Sequence, residues 1–277
     1  MEFSIVDLRI PTRPKMCVPL KGYTSIMSDN VQDSIRNTGI WGKEETSILV
    51  DILSKNGEST IIDVGSNSGY FSVIGLSYGS NVIAIEANPV YQQYVNKSIE
   101  LNNFDKSKFK YYECFASNNP EPVLFDGWSG YDNMISKDNV ASVSTVSIDN
   151  IHKKEVLLLK IDVEGAEPFV LKSAESLIKK NKIKYIMFEL TYIIKNVLIR
   201  EQIDILPYLK FSGFDLYEIV EKRLIPMTNL KNVVNNWVFE YNTNHVKHNP
   251  NLVNLSAGTN ILAVLKGNSV PNVNLFL

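Results

Sequence analysis

The sequence predicts an α/β fold in which a mostly parallel sheet carries helices on both faces. Short apolar, β-branched segments alternate along the chain with amphipathic segments of helical period. Two of these segments, at 60–64 and 156–161, are apolar almost throughout, as expected of strands that are buried on both sides. The chain has 277 residues, of which 44% are hydrophobic, so it can bury such a core as one large domain.

The first part of the chain, residues 1–38, is predicted to be an arm that precedes a single main domain at 39–277. It begins with a segment rich in proline and basic residues, which favours extended backbone over helix. This arm could cover the ligand site, pair with a neighbouring subunit in a homodimer, or be mobile or clamped to the surface; we favour the last alternative. From Gly39 the pattern changes to a helix that ends at Gly57.

The segment from Ser59 to Pro89 has the pattern of one complete strand, loop, helix and strand. The first strand leads into the loop D-x-G-x-N-x-G, where Gly65 and Gly69 permit positive φ and a close approach to a ligand. A helix over 70–78 follows, and the second strand ends at Glu86. This acid lies 21 residues after Gly65, at the end of the second strand, where a carboxylate can accept hydrogen bonds from both hydroxyls of a ribose.

Two nucleoside cofactors are bound by this arrangement, and the loop distinguishes them. A dinucleotide site has G-x-G-x-x-G, which is broken here because Asn67 stands at the second glycine. The segment DVGSNSGYFS instead resembles the first motif of class I S-adenosylmethionine (SAM)-dependent methyltransferases, and of the FkbM family in particular. A second segment, LLKIDVEGAE at 158–167, is similar to the most distinctive motif of that family. The resemblance extends from about Trp41 to Leu190.

The resemblance implies SAM as cofactor and a Rossmann-like, mostly parallel sheet of seven strands, the last of them antiparallel. The cofactor-binding residues that we infer are Glu44, Asp63, Gly65, Ser66, Asn67, Gly69, Glu86, Ala87, Phe115, Ala116 and Asp162. Glu44 would lie at the methionine end of SAM, although an acid in a first helical turn is already explained by the helix dipole. Phe115 or Ala116 would line the adenine pocket, and a simple core role for Phe115 is an equal alternative. Ala87 stands where the family usually has proline.

After Glu86, Asn88 and Pro89 predict the start of a helix that runs to about Asn102. The third strand is predicted at 109–116. The next segment, 117–150, contains turn residues and short strands. Such an insertion lies over the carboxyl ends of the strands and shapes a substrate pocket. Its Trp128 and Tyr131 are candidates for stacking on a sugar ring or flat substrate, although a core or loop-anchoring role is favoured for both.

Asp162 follows the fourth strand and lies across the switch point from Gly65. A carboxylate at a strand end contributes little to the fold and must be hydrated or paired. We therefore predict that Asp162 is the base or orienting group, with Glu164 and Glu189 as the next candidates. Glu189 belongs to the fifth strand, at 184–190.

The rest of the chain gives weaker signals. Pro168 opens a helix whose predicted inner face includes Phe169, and Glu167 is interpreted as a cap residue. A helix at 201–212 and strands at 215–220 and 260–265 complete the sheet. Three alternating aromatic residues predict a half-buried strand or cover; they are Trp237, Phe239 and Tyr241. His245 and His248 would suit a metal only in a helix, and the asparagine-rich surroundings favour a loop, so no metal is predicted.

The bulk properties argue against several classes of protein. A net charge of −2 and a pI near 6.0 argue against binding of nucleic acid. The sequence shows neither a signal peptide nor a membrane span, and its two cysteines do not make a disulfide framework, so a cytoplasmic protein is predicted. The resemblance implies O-methylation of a hydroxyl on a sugar, glycan or secondary metabolite. N-methylation of an amide or amine is one alternative, and a non-catalytic SAM-binding scaffold is another. A nicotinamide dehydrogenase is disfavoured, because Asn67 interrupts its motif.

Overall fold

The computed structural model describes residues 2–20, 30–125, 141–194, 197–243 and 256–273. The strands, in chain order, are β1 (Phe3–Asp7), β2 (Lys15–Pro19), β3 (Thr60–Val64), β4 (Asn81–Glu86), β5 (Phe109–Glu113), β6 (Phe115–Ala116), β7 (Val123–Phe125), β8 (Ala141–Val143), β9 (Thr145–Val146), β10 (Val156–Ile161), β11 (Ile183–Ile194), β12 (Val197–Leu198), β13 (Phe214–Val220), β14 (Arg223–Pro226) and β15 (Ser256–Leu265). The helices are α1 (Asn30–Thr38), α2 (Lys43–Asn56), α3 (Tyr70–Ser77), α4 (Gln92–Leu101), α5 (Ile148–Ile151), α6 (Glu167–Ser173), α7 (Glu175–Lys179), α8 (Arg200–Phe211) and α9 (Leu230–Tyr241).

The main sheet has the order β14-β13-β15-β11-β10-β3-β4-β5, with β12 paired to β11. Strands β5, β4, β3, β10 and β11 are parallel to their neighbours within this group. Strand β15 lies antiparallel between β11 and β13. The predicted Rossmann-like, mostly parallel sheet with an antiparallel last strand is therefore confirmed, and β12 and β14 are additions to the seven predicted strands.

Helices cover both faces of this sheet because its strands are apolar on both sides. Along β11, Phe188 and Leu190 pack in the core shared with α6, α7 and α8, whereas Tyr185 and Met187 pack in the core shared with α1, α2 and α3. All four side chains are buried. The carboxyl ends of β3, β4, β10 and β11 consequently meet at one rim between the two helical layers.

The N-terminal segment forms a β-hairpin and a helix. Strands β1 and β2 pair in antiparallel fashion, and β2 packs on α4. There the amide of Cys17 donates to Ser98 Oγ at 2.8 Å, and the amide of Lys15 donates to Asn102 Oδ1 at 2.7 Å. Residues 2–20 are thus held to α4 by hydrogen bonds, and Met16, Cys17 and Val18 are fully buried.

Four sequence predictions of local structure are wrong. The helix after Glu86 begins at Gln92, because Asn88 forms a turn in which its Oδ1 accepts from the amide of Val90 at 3.1 Å. The predicted strand at 109–116 breaks at Cys114, and its last two residues pair with β9 instead. Residues 230–241 form helix α9, in which Trp237 and Tyr241 are buried one turn apart, so the strand alternative is wrong and the segment is a cover. Phe169 is 38% exposed and does not belong to the inner face of α6.

The predicted insertion at 117–150 is described in part. Strands β7 and β8 pair in antiparallel fashion, and β9 extends β6. Trp128 and Tyr131, as well as His245 and His248, lie outside the described residues. Among the helices that the structure describes, none is long and apolar enough to span a membrane.

Candidate active site

The loop after β3 adopts a conformation that requires glycine at two positions. Gly65 has φ of 75°, and a Cβ on it would lie 1.8 Å from the carbonyl oxygen of Asp162. Gly69 has φ of 87°, and its Cβ would lie 2.7 Å from the side chain of Val95. Between them, Asn67 has φ of 51°, a left-handed conformation that asparagine tolerates better than most residues. The loop therefore packs tightly against β10 and α4.

Glu86 is tied to this loop by both of its carboxylate oxygens. Oε2 accepts from the amide of Asn67, and Oε1 accepts from the amide of Asn88, each at 2.8 Å. Burial raises the pKa of Glu86 to about 7, against the lowering effect of the neighbouring amides. Each oxygen keeps a second lone pair, so the carboxylate can still accept from two ribose hydroxyls.

The loop also fits the SAM that the resemblance implies. Ser66 is buried, and its Oγ has no hydrogen-bond partner within the part of the chain that the structure describes. Buried hydroxyls are normally paired, so this atom is suited to meet a bound ligand. Ala87, next to Glu86, is half-buried beside the same loop.

The predicted adenine-lining residues lie beside the end of β4. The amide of Cys114 donates to the carbonyl of Glu86 at 3.1 Å, and the amide of Phe115 donates to Ser144 at 2.8 Å. Phe115 and Ala116 are both buried. Their place next to Glu86 suits an adenine ring, and this role stays a prediction.

Asp162 lies at the end of β10, opposite the glycine loop. Its amide donates to the carbonyl of Val64 at 2.9 Å, which continues the pairing of β10 with β3. One of its carboxylate oxygens lies 3.3 Å from Nζ of Lys160. The carboxylate is thus paired with Lys160, and the side chain stays partly exposed at the rim.

Lys160 is a buried cation that the sequence analysis overlooked. It is 2% exposed, and its Nζ lies 5.2 Å from the ring centre of Phe71. Burial lowers the pKa of Lys160, but the carboxylates of Asp162, Glu45 and Asp63 outweigh that effect and raise it. A lysine inside an apolar strand rarely stays buried without such partners, and this was the available signal.

Two buried acids complete this charge cluster. Asp63, on β3, is aligned with Lys160 across the sheet and accepts a hydrogen bond from Ser72 Oγ at 2.6 Å. Burial raises the pKa of Asp63 to about 6. Glu45 is buried in α2, and burial raises its pKa as well. The predicted Glu44 is only half-buried, so Glu45 is the acid of this helical turn that takes part in the cluster.

The three predicted catalytic acids are brought together. Asp162, Glu164 and Glu189 each offer one carboxylate oxygen, and these atoms lie within 4.8 Å of one another. Burial, together with the charges of Asp162 and Glu164, raises the pKa of Glu189 to about 7. Oxygen ligands at this separation could also hold a hard divalent cation.

Glu167 holds the turn between Asp162 and α6 in place. Its Oε1 accepts from the amides of Val163 and Gly165 at 3.3 and 3.2 Å, and its Oε2 accepts from Gln202 Nε2 at 2.8 Å. Its side chain therefore fixes the turn that carries Glu164, and the amides it accepts from precede α6 rather than belong to it.

Comparison with known proteins identifies the family. A model of the methyltransferase FkbM domain matches residues 63–216, more than half of the 277 residues. Comparison with curated proteins found no match. An FkbM methyltransferase structure from Methylobacillus flagellatus has 16% identity and a TM-score of 0.43, with 59% of this chain and 40% of that chain covered. The chain thus spans less than half of that protein.

Two further solved structures are similar at lower identity. Precorrin-6y C5,15-methyltransferase from Geobacter metallireducens has 11% identity and a TM-score of 0.42, with 81% of this chain and 90% of that chain covered. A putative SAM-dependent methyltransferase from Streptococcus mutans has 11% identity and a TM-score of 0.44, with 95% and 56% covered. The family assignment rests on the match to the FkbM domain, whose residues include both sequence motifs. The chain belongs to the FkbM methyltransferase family.

Proposed function

We propose that this methyltransferase transfers the methyl group of SAM to a hydroxyl oxygen of a sugar, a glycan or a hydroxylated secondary metabolite. The observation that carries this proposal is the group of three carboxylates at the rim, because an alcohol needs a base as it attacks. The glycine loop lies directly beside this group, since Gly65 touches the main chain of Asp162. Cofactor and acceptor would therefore meet at the ends of β3 and β10.

The cofactor would be held mainly by the glycine loop and Glu86. Glu86 would accept from the ribose hydroxyls, Ser66 would supply its unpaired hydroxyl, and Phe115 and Ala116 would contact the adenine. Asp63 would support the loop from inside the protein, because its carboxyl group is buried and accepts a hydrogen bond from Ser72. Bound SAM supplies a methyl group on a positively charged sulfur, which leaves as a neutral thioether.

The acids divide the remaining work between them. Asp162 is held by Lys160, so we assign it the task of orienting the acceptor hydroxyl. Glu189 has a pKa of about 7, close to the value at which a general base works best near neutral pH. We therefore propose that Glu189 takes the proton of the acceptor hydroxyl. The negative charge of Glu164 would help to keep the pKa of Glu189 raised.

The proposal is tested first by calorimetric titration of the purified protein with SAM, with NADH as the control ligand. We expect SAM to bind with micromolar affinity and Glu86→Ala to abolish binding, whereas Glu86→Gln keeps part of it. Hydroxylated sugars and metabolites are then offered as acceptors, and the methylated atom is located by mass spectrometry and NMR. A folded protein that binds no SAM would overturn the cofactor placement, and a product methylated on nitrogen would overturn the choice of oxygen.

A further inference from the structure

Helix α1 reaches the glycine loop through one buried glutamine. Gln32 is 0% exposed, and its Nε2 donates to Asn67 Oδ1 at 2.6 Å. Its Oε1 accepts from Ser68 Oγ at 3.1 Å. Both polar atoms of this side chain therefore hold the loop. Gln32 lies well outside the part of the chain that matches the FkbM domain, residues 63–216.

The atom that Gln32 contacts determines the shape of the loop. Asn67 Oδ1 also accepts from the amide of Ser68 at 2.6 Å, while the amide of Asn67 donates to Glu86. Asn67 has left-handed backbone, which asparagine tolerates better than most residues, and the contacts of its side-chain oxygen hold it in that conformation. Gln32 fixes the rotamer of Asn67 and, through it, the direction in which that amide meets Glu86.

Helix α1 is itself fixed to the N-terminal hairpin. Ile35 is fully buried in the core that α1 shares with α2 and α3. The amide of Arg9, just after β1, donates to the carbonyl of Gly39 at 2.9 Å. The guanidinium of Arg36 donates to the carbonyl of Pro19. The position of Gln32 is therefore set by the hairpin, which is clamped to α4.

We propose that Gln32 is a positioning residue for the SAM site, so that SAM affinity depends on the N-terminal segment as well as on the family domain. This inference rests on the proposed placement of the cofactor beside Glu86. Holding the loop in its binding conformation before the ligand arrives removes an ordering cost from binding. Gln32 contributes no atom to the reaction, so its loss weakens SAM binding and leaves turnover at saturating SAM little changed.

The test is a set of calorimetric titrations of the full-length chain with SAM. We expect Gln32→Ala to weaken binding roughly tenfold, as for the loss of one or two buried hydrogen bonds. Gln32→Glu keeps the length but places a carboxylate oxygen against Asn67 Oδ1, so the two acceptors repel and a loss at least as large as that of Gln32→Ala is expected. The matched control is Ser34→Ala, which removes a hydrogen bond from α1 to Ile40 without contact with the loop. Thermal unfolding of each variant reports whether it is folded.

A double variant separates positioning from general stability. In an Asn67→Gly background the oxygen that Gln32 holds is absent, and glycine adopts left-handed backbone freely. Adding Gln32→Ala should then weaken SAM binding less than threefold, because the two changes act through one contact. A tenfold loss that persists in this background would overturn the proposal, as would unchanged SAM binding by folded Gln32→Ala. If the unaltered protein binds no SAM, the placement of the cofactor fails together with this proposal.

Discussion

Replacing Lys160 by methionine should destabilise the protein strongly at alkaline pH and weakly at acid pH. Methionine has a similar length but no charge, so three carboxylates lose their counter-ion; these are Glu45, Asp63 and Asp162. Removing one partner of a fully buried ion pair costs about 3–5 kcal/mol. The side chain of Asp162 keeps 32% exposure and can be hydrated in part, so we expect the lower end, about 3 kcal/mol at pH 8.

The pH dependence follows from the two buried acids. Burial raises the pKa of Asp63 to about 6 and also raises that of Glu45. An acid whose pKa is higher in the folded state destabilises that state above its folded pKa, and this penalty disappears as pH falls toward its unfolded pKa. In Lys160→Met both acids bind protons more readily still. The loss of stability at pH 5.5 should therefore be less than half of the loss at pH 8.

Urea unfolding at the two pH values measures this difference. In thermal unfolding, a loss of about 3 kcal/mol would lower the Tm of a chain of this size by roughly 5 °C. The matched control is Lys179→Met, which breaks a shorter ion pair with Glu175, at 2.6 Å, whose two side chains are largely exposed. Exposed pairs contribute about 0–1 kcal/mol, so this variant should hardly change. Equal losses in the two variants, or a Lys160→Met loss that does not vary with pH, would refute the reasoning.

Four further predictions concern the rim. Asp162→Asn should lower turnover about 100-fold or more and change the Kd for SAM less than about threefold, by rate assay and calorimetry; equal losses would make it a cofactor ligand. The kcat should rise with pH through about 7 as Glu189 ionises. The Glu189→Gln variant should have a low kcat that does not change with pH in this range, and an unchanged pH profile would show that another group is the base. EDTA should leave the rate unchanged, since methyl transfer from a sulfonium needs no metal; a loss that Mg²⁺ restores would make the three acids its ligands. Gly65→Ala places a Cβ 1.8 Å from a carbonyl oxygen and should lower the free energy of unfolding by about 4 kcal/mol or more, as measured in urea. An unchanged free energy of unfolding would show that the backbone after β10 can move aside at little cost.

The sequence was sufficient to predict the main sheet because its signals are local. The strand before Gly65 and the glycine spacing are set by backbone requirements that any single sequence displays. The wrong predictions depended on distant partners. Trp237 stacks on Tyr192 with ring centres 4.9 Å apart and donates to Glu218 at 2.7 Å. These contacts favour a helix where the alternation of aromatic residues indicated a strand.

The predicted site was incomplete for a similar reason. Asp162, Glu164 and Glu189 could be proposed because parallel strands bring their carboxyl ends to one edge. Lys160 lies in an apolar strand, where a periodicity argument treats the position as core, and Glu45 lies in a charged first helical turn that the helix dipole already explains. Their charges become informative only once the packing of α2 on β10 places them in one cluster.

The glycine loop shows why a motif does not by itself specify a binding site. Its conformation is held from three directions, by the carboxylate of Glu86, the main chain of Asp162 and the amide group of Gln32. The first two belong to the matched domain, and the third belongs to the N-terminal segment. The conformation of the glycine loop in the whole chain therefore depends on α1 as well as on the matched domain.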